Sequence, residues 1–131
     1  MRHPLMTVAA GLAALGALAG CGTPEPTARD VPPDVLQARP SITAGEARFV
    51  LAARDQGVTI TGGTVSDDIE TGTTTCWALR DGGVRLKDLA AEISGSDAAR
   101  TKGLMYAAVQ ALCPQFSSQL GELGQLDKPT G

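Results

Sequence analysis

Cysteine is the residue type in this chain whose chemistry and placement both point to a reaction. Cys21 closes the run Leu18-Ala19-Gly20-Cys21. Ahead of it lie the small positive segment Arg2-His3 and an apolar stretch from Leu5 to Leu18, roughly 14 residues long. That is the length of an export signal's hydrophobic region, and it is short of the about 20 residues that a membrane-spanning helix needs. Small residues before a cysteine at the end of such a signal form the pattern of a bacterial lipobox. The thiol there takes a diacylglyceryl group, and cleavage leaves the cysteine as the first residue. Leu18, Ala19 and Gly20 are therefore read as the lipobox and Cys21 as the lipidation site. Two other readings stay open: a plain secretory signal cleaved after Ala19 or Gly20, and a buried N-terminal helix with an incidental cysteine. Lipid would anchor the chain without a transmembrane helix, because each buried methylene contributes about 0.8 kcal/mol and two acyl chains suffice. The expected location is the extracytoplasmic face of the cell membrane.

With Cys21 assigned to lipid, Cys76 and Cys113 remain. Beyond the membrane the environment is oxidising, so a disulfide between them is expected. The alternative is two separate buried thiols. No C-x-x-C occurs, so a thioredoxin-type redox role lacks its motif.

The elements that must position these cysteines can be read from periodicity and caps. Residues 21–42, rich in proline from Pro24 to Pro40, read as a lipid-anchored linker after a signal at 1–20. Proline breaks helices and removes backbone donors, so this stretch is expected to act as an extended tether of up to about 60 Å. Val31, Val35, Leu36 and Ile42 are the residues within it that can pack locally. Residues 43–116 read as a helical domain and 117–131 as a loose tail, because Gly121, Gly124 and Pro129 oppose a helix there; a frayed helical turn over Leu120, Leu123 and Leu126 is the alternative.

Within the domain, Thr43-Ala44-Gly45-Glu46 is a capping box, and Gly57 is placed to end the first helix in a left-handed cap. Val58 to Gly63 reads as an extended connector that buries Val58 and Ile60. A second helix, capped by Thr64 or Ser66, carries Asp67, Asp68 and Glu70 in its first turn, where the dipole favours them. Ile69, Thr73, Cys76 and Leu79 or Arg80 form its apolar stripe, and Trp77 is expected to cover the disulfide, a ligand platform being the alternative. A short third helix spans about 86–94. A fourth spans about 97–112, with Cys113 continuing its apolar face and Pro114 ending it. The expected fold is all-α: a small bundle of about four short helices stapled by one disulfide. Closing a loop of about 38 residues is worth roughly 3.9 kcal/mol on the chain-entropy model.

These features resemble the small exported actinobacterial family called "domain of unknown function" seven-three-two. The resemblance covers roughly Phe49 to Pro114. It rests on a Phe-containing helix ending in Gly57-Val58, a cysteine inside the next helix, a glycine pair with a short helix after it, and an alanine-rich helix closing on Cys113-Pro114. It implies a small α-helical domain with a Cys76–Cys113 disulfide, exported or lipidated, with no activity assigned. The chain departs from the pattern at Leu86 and Lys87, where small residues or proline commonly open the third helix.

Other chemistry is largely excluded. The formal charge is −3, and removal of Arg2 with the signal makes it −4. No basic patch offers a nucleic-acid footprint. The single histidine, His3, lies in the signal, which excludes Ser-His-Asp and Cys-His catalysis and the usual histidine-containing zinc sites. There is no phosphate loop and no dinucleotide fingerprint. Asp67, Asp68 and Glu70 do not match a calcium loop, and Tyr106 has no histidine or second tyrosine with which to hold haem. Aromatics are only 3% of the chain, too few for a sugar-stacking cleft. No catalytic residue, cofactor or metal is expected. The functional expectation is a non-enzymatic envelope module that binds a protein or wall component. A carrier of a lipid or small apolar ligand between helices is the alternative. An enzyme using Asp and Glu, or the cysteine pair in exchange, is a third reading.

Overall fold

The computed structural model of the chain describes residues 28–126. Six α-helices follow in order: α1 Pro33–Ala38, α2 Ala44–Asp55, α3 Val65–Arg80, α4 Leu86–Ala91, α5 Ala98–Ala111 and α6 Leu120–Leu126. Turns of 3-10 helix at Ala28–Asp30 and Pro114–Gln119 precede α1 and α6. No strand occurs among the described residues, so the fold is all-α. The four expected helices are α2 to α5; α1 was not expected, and α6 falls where a loose tail was expected and a frayed helical turn was the alternative.

Local chemistry sets the ends of α2. Thr43 Oγ1 accepts the Glu46 N–H at 3.1 Å. The box is only half formed, because the Glu46 carboxylate turns instead to the Arg39 guanidinium at 3.0 Å. At the other end Gly57 sits at φ 77°. The Gly57 N–H bonds Arg54 C=O and the Val58 N–H bonds Ala53 C=O, both at 2.9 Å. That pair is a Schellman motif, and it needs a residue without Cβ at the left-handed position. The chain then runs without strand partners to Gly63, with Val58 and Ile60 buried.

The long helices pack α2 against α5 and α5 against α3. Gly45 at the start of α2 lies beside Leu112 at the end of α5, and Gln56 lies beside Gly103. Those two helices are therefore antiparallel. Asp68 meets Arg100 near the starts of α3 and α5, and Cys76 meets Cys113 toward their ends, so these two run parallel. The buried row of α3 is Val65, Asp68, Ile69, Gly72, Thr75, Cys76 and Leu79. Gly72, not Thr73, continues the stripe from Ile69 to Cys76, and Thr73 is exposed. Phe49 is wholly buried and faces Gly72; burial of such a side chain contributes about 1.5–3 kcal/mol.

Two flanking segments depart from expectation. The stretch expected as an extended tether is folded against the domain from residue 28 onward. Pro33 opens α1 at a first helical position, where a missing N–H costs nothing. Val31 and Val35 are then 3% and 0% exposed. The Asp34 carboxylate accepts the Gly62 N–H at 2.7 Å, and a Cβ on Gly62 would stand 2.6 Å from the Asp34 carbonyl oxygen. This strap is therefore built into the fold. The tail expected to be loose is helical as far as Leu126. Gln119 Oε1 accepts the Leu86 N–H at 2.7 Å and Glu122 pairs with Arg85 at 2.6 Å, while Leu123 is buried. These contacts cap α4, which has no side-chain cap of its own. They also explain the bulky Leu86: its side chain is fully buried.

Candidate functional site

Cys76 and Cys113 are bonded, with Cα atoms 5.8 Å apart. Cys76 projects from the buried row of α3, and Cys113 follows α5 as the residue before Pro114. Both are buried, at 5% and 1% exposure. A disulfide so enclosed staples two helices and offers no sulfur to an incoming thiolate. Trp77 does not cover it. One residue on from Cys76, it is turned about 100° around the helix from the buried row, and it is 58% exposed.

The strongest electrostatic feature lies at the other end of α3. Arg100 on α5 holds both oxygens of Asp68, Nη1 to Oδ1 at 2.7 Å and Nη2 to Oδ2 at 2.8 Å, and reaches the Thr59 carbonyl at 3.3 Å. Asp68 is therefore a buried, fork-paired carboxylate rather than a solvated helix-start charge. Hydrogen bonding to Asp68 raises the Arg100 pKa, against a smaller lowering by burial. On the Arg100 side, a cation whose folded pKa is raised loses that stabilisation only in strong alkali. Beside this pair, Gln56, Gly57, Val58, Thr59 and Ala99 surround a polar depression of about 390 Å³ that includes Arg100.

An apolar furrow opens on the face where α3, α4 and α5 meet. Thr71, Thr74, Thr75 and Ala78 of α3 form one wall. Leu89 and Ile93, on α4 and just past it, and Thr101 and Met105 of α5 form the others. The spaces between them amount to about 160 Å³. Cavities that enclose whole small-molecule ligands are typically about 300–1,000 Å³. The Thr71 and Thr75 hydroxyls bond back to the Asp67 and Thr71 carbonyls, leaving their methyl groups to line the furrow. Trp77 lies one turn after Thr74 on the adjoining face of α3.

Of the residues singled out from sequence, Cys76 and Cys113 are brought together. Leu18, Ala19, Gly20 and Cys21 lie outside the described residues. Asp67 and Glu70 are exposed and Asp68 is buried, so the acidic trio is split. Sequence reasoning missed the Asp68–Arg100 pair and the furrow. A signal for the first was present: Asp68 stands four residues before Gly72 and eight before Cys76, on the buried row. Among the described residues no group of three His, Cys, Asp or Glu is arranged to hold a metal ion, and no helix is long and apolar enough to cross a membrane.

A family model described as "Protein of unknown function (DUF732)" matches residues 43–115. Comparison with curated proteins and with solved structures finds no match.

Proposed function

Because the chain belongs to the DUF732 family, whose function is unknown, we propose a role from its own residues: a lipid-anchored, non-enzymatic binding module of the cell envelope. Anchoring rests on Leu18-Ala19-Gly20-Cys21 at the end of a signal-length apolar segment. The observation that carries the binding half is the open apolar furrow between α3, α4 and α5. An apolar opening between helices with polar groups at its edge is a place where a partner's side chains can be received. Carriage of a lipid or small apolar ligand is the weaker reading, because the apolar furrow, at about 160 Å³, is too small to enclose one, and the larger depression, about 390 Å³, has polar walls that include Arg100.

The anchoring is tested in an envelope-bearing host by fractionation and intact-mass analysis of wild type and Cys21→Ala. Wild type is expected in the membrane fraction, with acyl mass on a chain beginning at Cys21. The variant is expected as an unprocessed precursor. A variant that matures normally and remains in membranes like wild type overturns the anchoring.

A further inference from the structure

We propose that the furrow docks the apolar face of a basic amphipathic helix from a partner protein. This deepens the binding-module reading and rests on it. Length is the first argument. Thr71, Thr74 and Ala78 are spaced at i, i+3 and i+7 along α3, about 10 Å of helix axis. On the opposite walls Thr101 and Met105 are spaced i, i+4 on α5, while Leu89 of α4 is joined by Ile93 from the turn after it. A furrow walled by two turns of α3 can receive side chains from the i, i+3, i+7 face of a helix laid along it. Its volume of about 160 Å³ accepts protruding side chains, not an enclosed ligand.

Charge is the second argument. Asp67 stands one turn before Thr71 on the same row of α3, and Asp97 one turn before Thr101 at the start of α5. Because α3 and α5 are parallel, these two exposed carboxylates flank the same end of the furrow. Glu70, Asp88 and Glu92 are exposed along the α3 and α4 walls. Lys87 and Lys102 are the cations adjoining them. Arg80 and Arg85 are already engaged by Asp81 and Glu122. An apolar floor with a predominantly acidic rim complements leucine-type anchors flanked by lysine or arginine.

The test uses the full chain in phosphatidylcholine nanodiscs. The probes are a Leu/Lys amphipathic helical peptide, a Leu/Glu peptide of the same pattern, and lauric acid. Methyl resonances of Ile93 and Met105 report occupancy of the furrow. The emission of Trp77, the sole tryptophan, reports its flank. The Leu/Lys peptide is expected to shift both methyl resonances and to bind at least about tenfold more tightly than the Leu/Glu peptide, with the difference shrinking in high salt. Thr74 is exposed on the rim, so Thr74→Arg is expected to leave melting unchanged and weaken binding about tenfold, as loss of a central contact does. Thr73→Arg, on the neighbouring row, is expected to bind like wild type. Absence of binding by either peptide, equal binding of both, or perturbation away from Ile93 and Met105 overturns the proposal. Methyl shifts from lauric acid alone assign the furrow to an acyl chain and overturn it as well. The anchored module is judged separately by the Cys21→Ala fractionation, so the furrow assignment can fail while the anchoring stands.

Discussion

At Gly72, α3 meets Phe49 of α2 and Leu112 at the end of α5. A Cβ there would stand 2.9 Å from Phe49 Cε2 and 3.1 Å from Leu112 Cδ1. Two effects of Gly72→Ala oppose each other. Alanine favours the helix interior by about 0.8–1.0 kcal/mol, whereas forcing a methyl into a filled core costs about 1–3 kcal/mol. The Phe49 ring is fully buried and cannot swing clear, so the steric effect wins. Gly72→Ala is expected to lower unfolding free energy by about 1 kcal/mol in urea titration; a net gain would show that Phe49 re-seats freely. In sequence, Gly72 is only a poor helix former, because propensity carries no information about what approaches from outside. Asp68 was hidden in a similar way. An acidic residue in a first turn already has a sufficient explanation in the helix dipole, and only tertiary packing shows that Arg100 waits across from it.

The helices with clear punctuation were legible as elements. Thr43 and Gly57 bound α2, and Pro114 follows the end of α5, by capping and breaking rules that act within a few residues; α4 stops at Ala91, three residues short of the expected 94. The pairing of Cys76 with Cys113 was legible too, from counting and compartment. What escaped were α1 and, beyond a frayed turn, α6, six and seven residues long. Helices so short are not stable by propensity; they form because Val31, Val35 and Leu123 find a core to enter. The disulfide acts at this scale, joining α3 to the end of α5 across 37 residues of sequence. The Cys76→Ser/Cys113→Ser double variant is expected to lose about 2–4 kcal/mol of stability. That loss is expected as a lower midpoint in thermal and urea melts, with reduced wild type behaving alike. Coincident melts of oxidised and reduced protein would show that helix packing alone fixes α3 against α5.

Across the whole molecule, the folded unit is wider than the family match. Residues 43–115 hold α2 to α5, but both flanks contribute core and capping groups. A chain ended after residue 115 loses the Gln119 cap on Leu86, the Glu122 partner of Arg85 and the buried Leu123. The expected loss is about 2–4 kcal/mol, combining one buried leucine with one helix cap. Urea titration of the shortened chain checks this, and a midpoint equal to that of the full chain contradicts it. The N-terminal strap has a consequence for distance. Since residues 28–42 lie against the domain, six residues, 22–27, separate Cys21 from the strap. Six residues drawn out fully reach only about 20 Å. A protein fastened at Cys21 would then patrol a thin shell above the lipid headgroups, searching in two dimensions. Molecules embedded in or resting on that plane become its natural collision partners, at an effective concentration that free diffusion through the envelope would not provide.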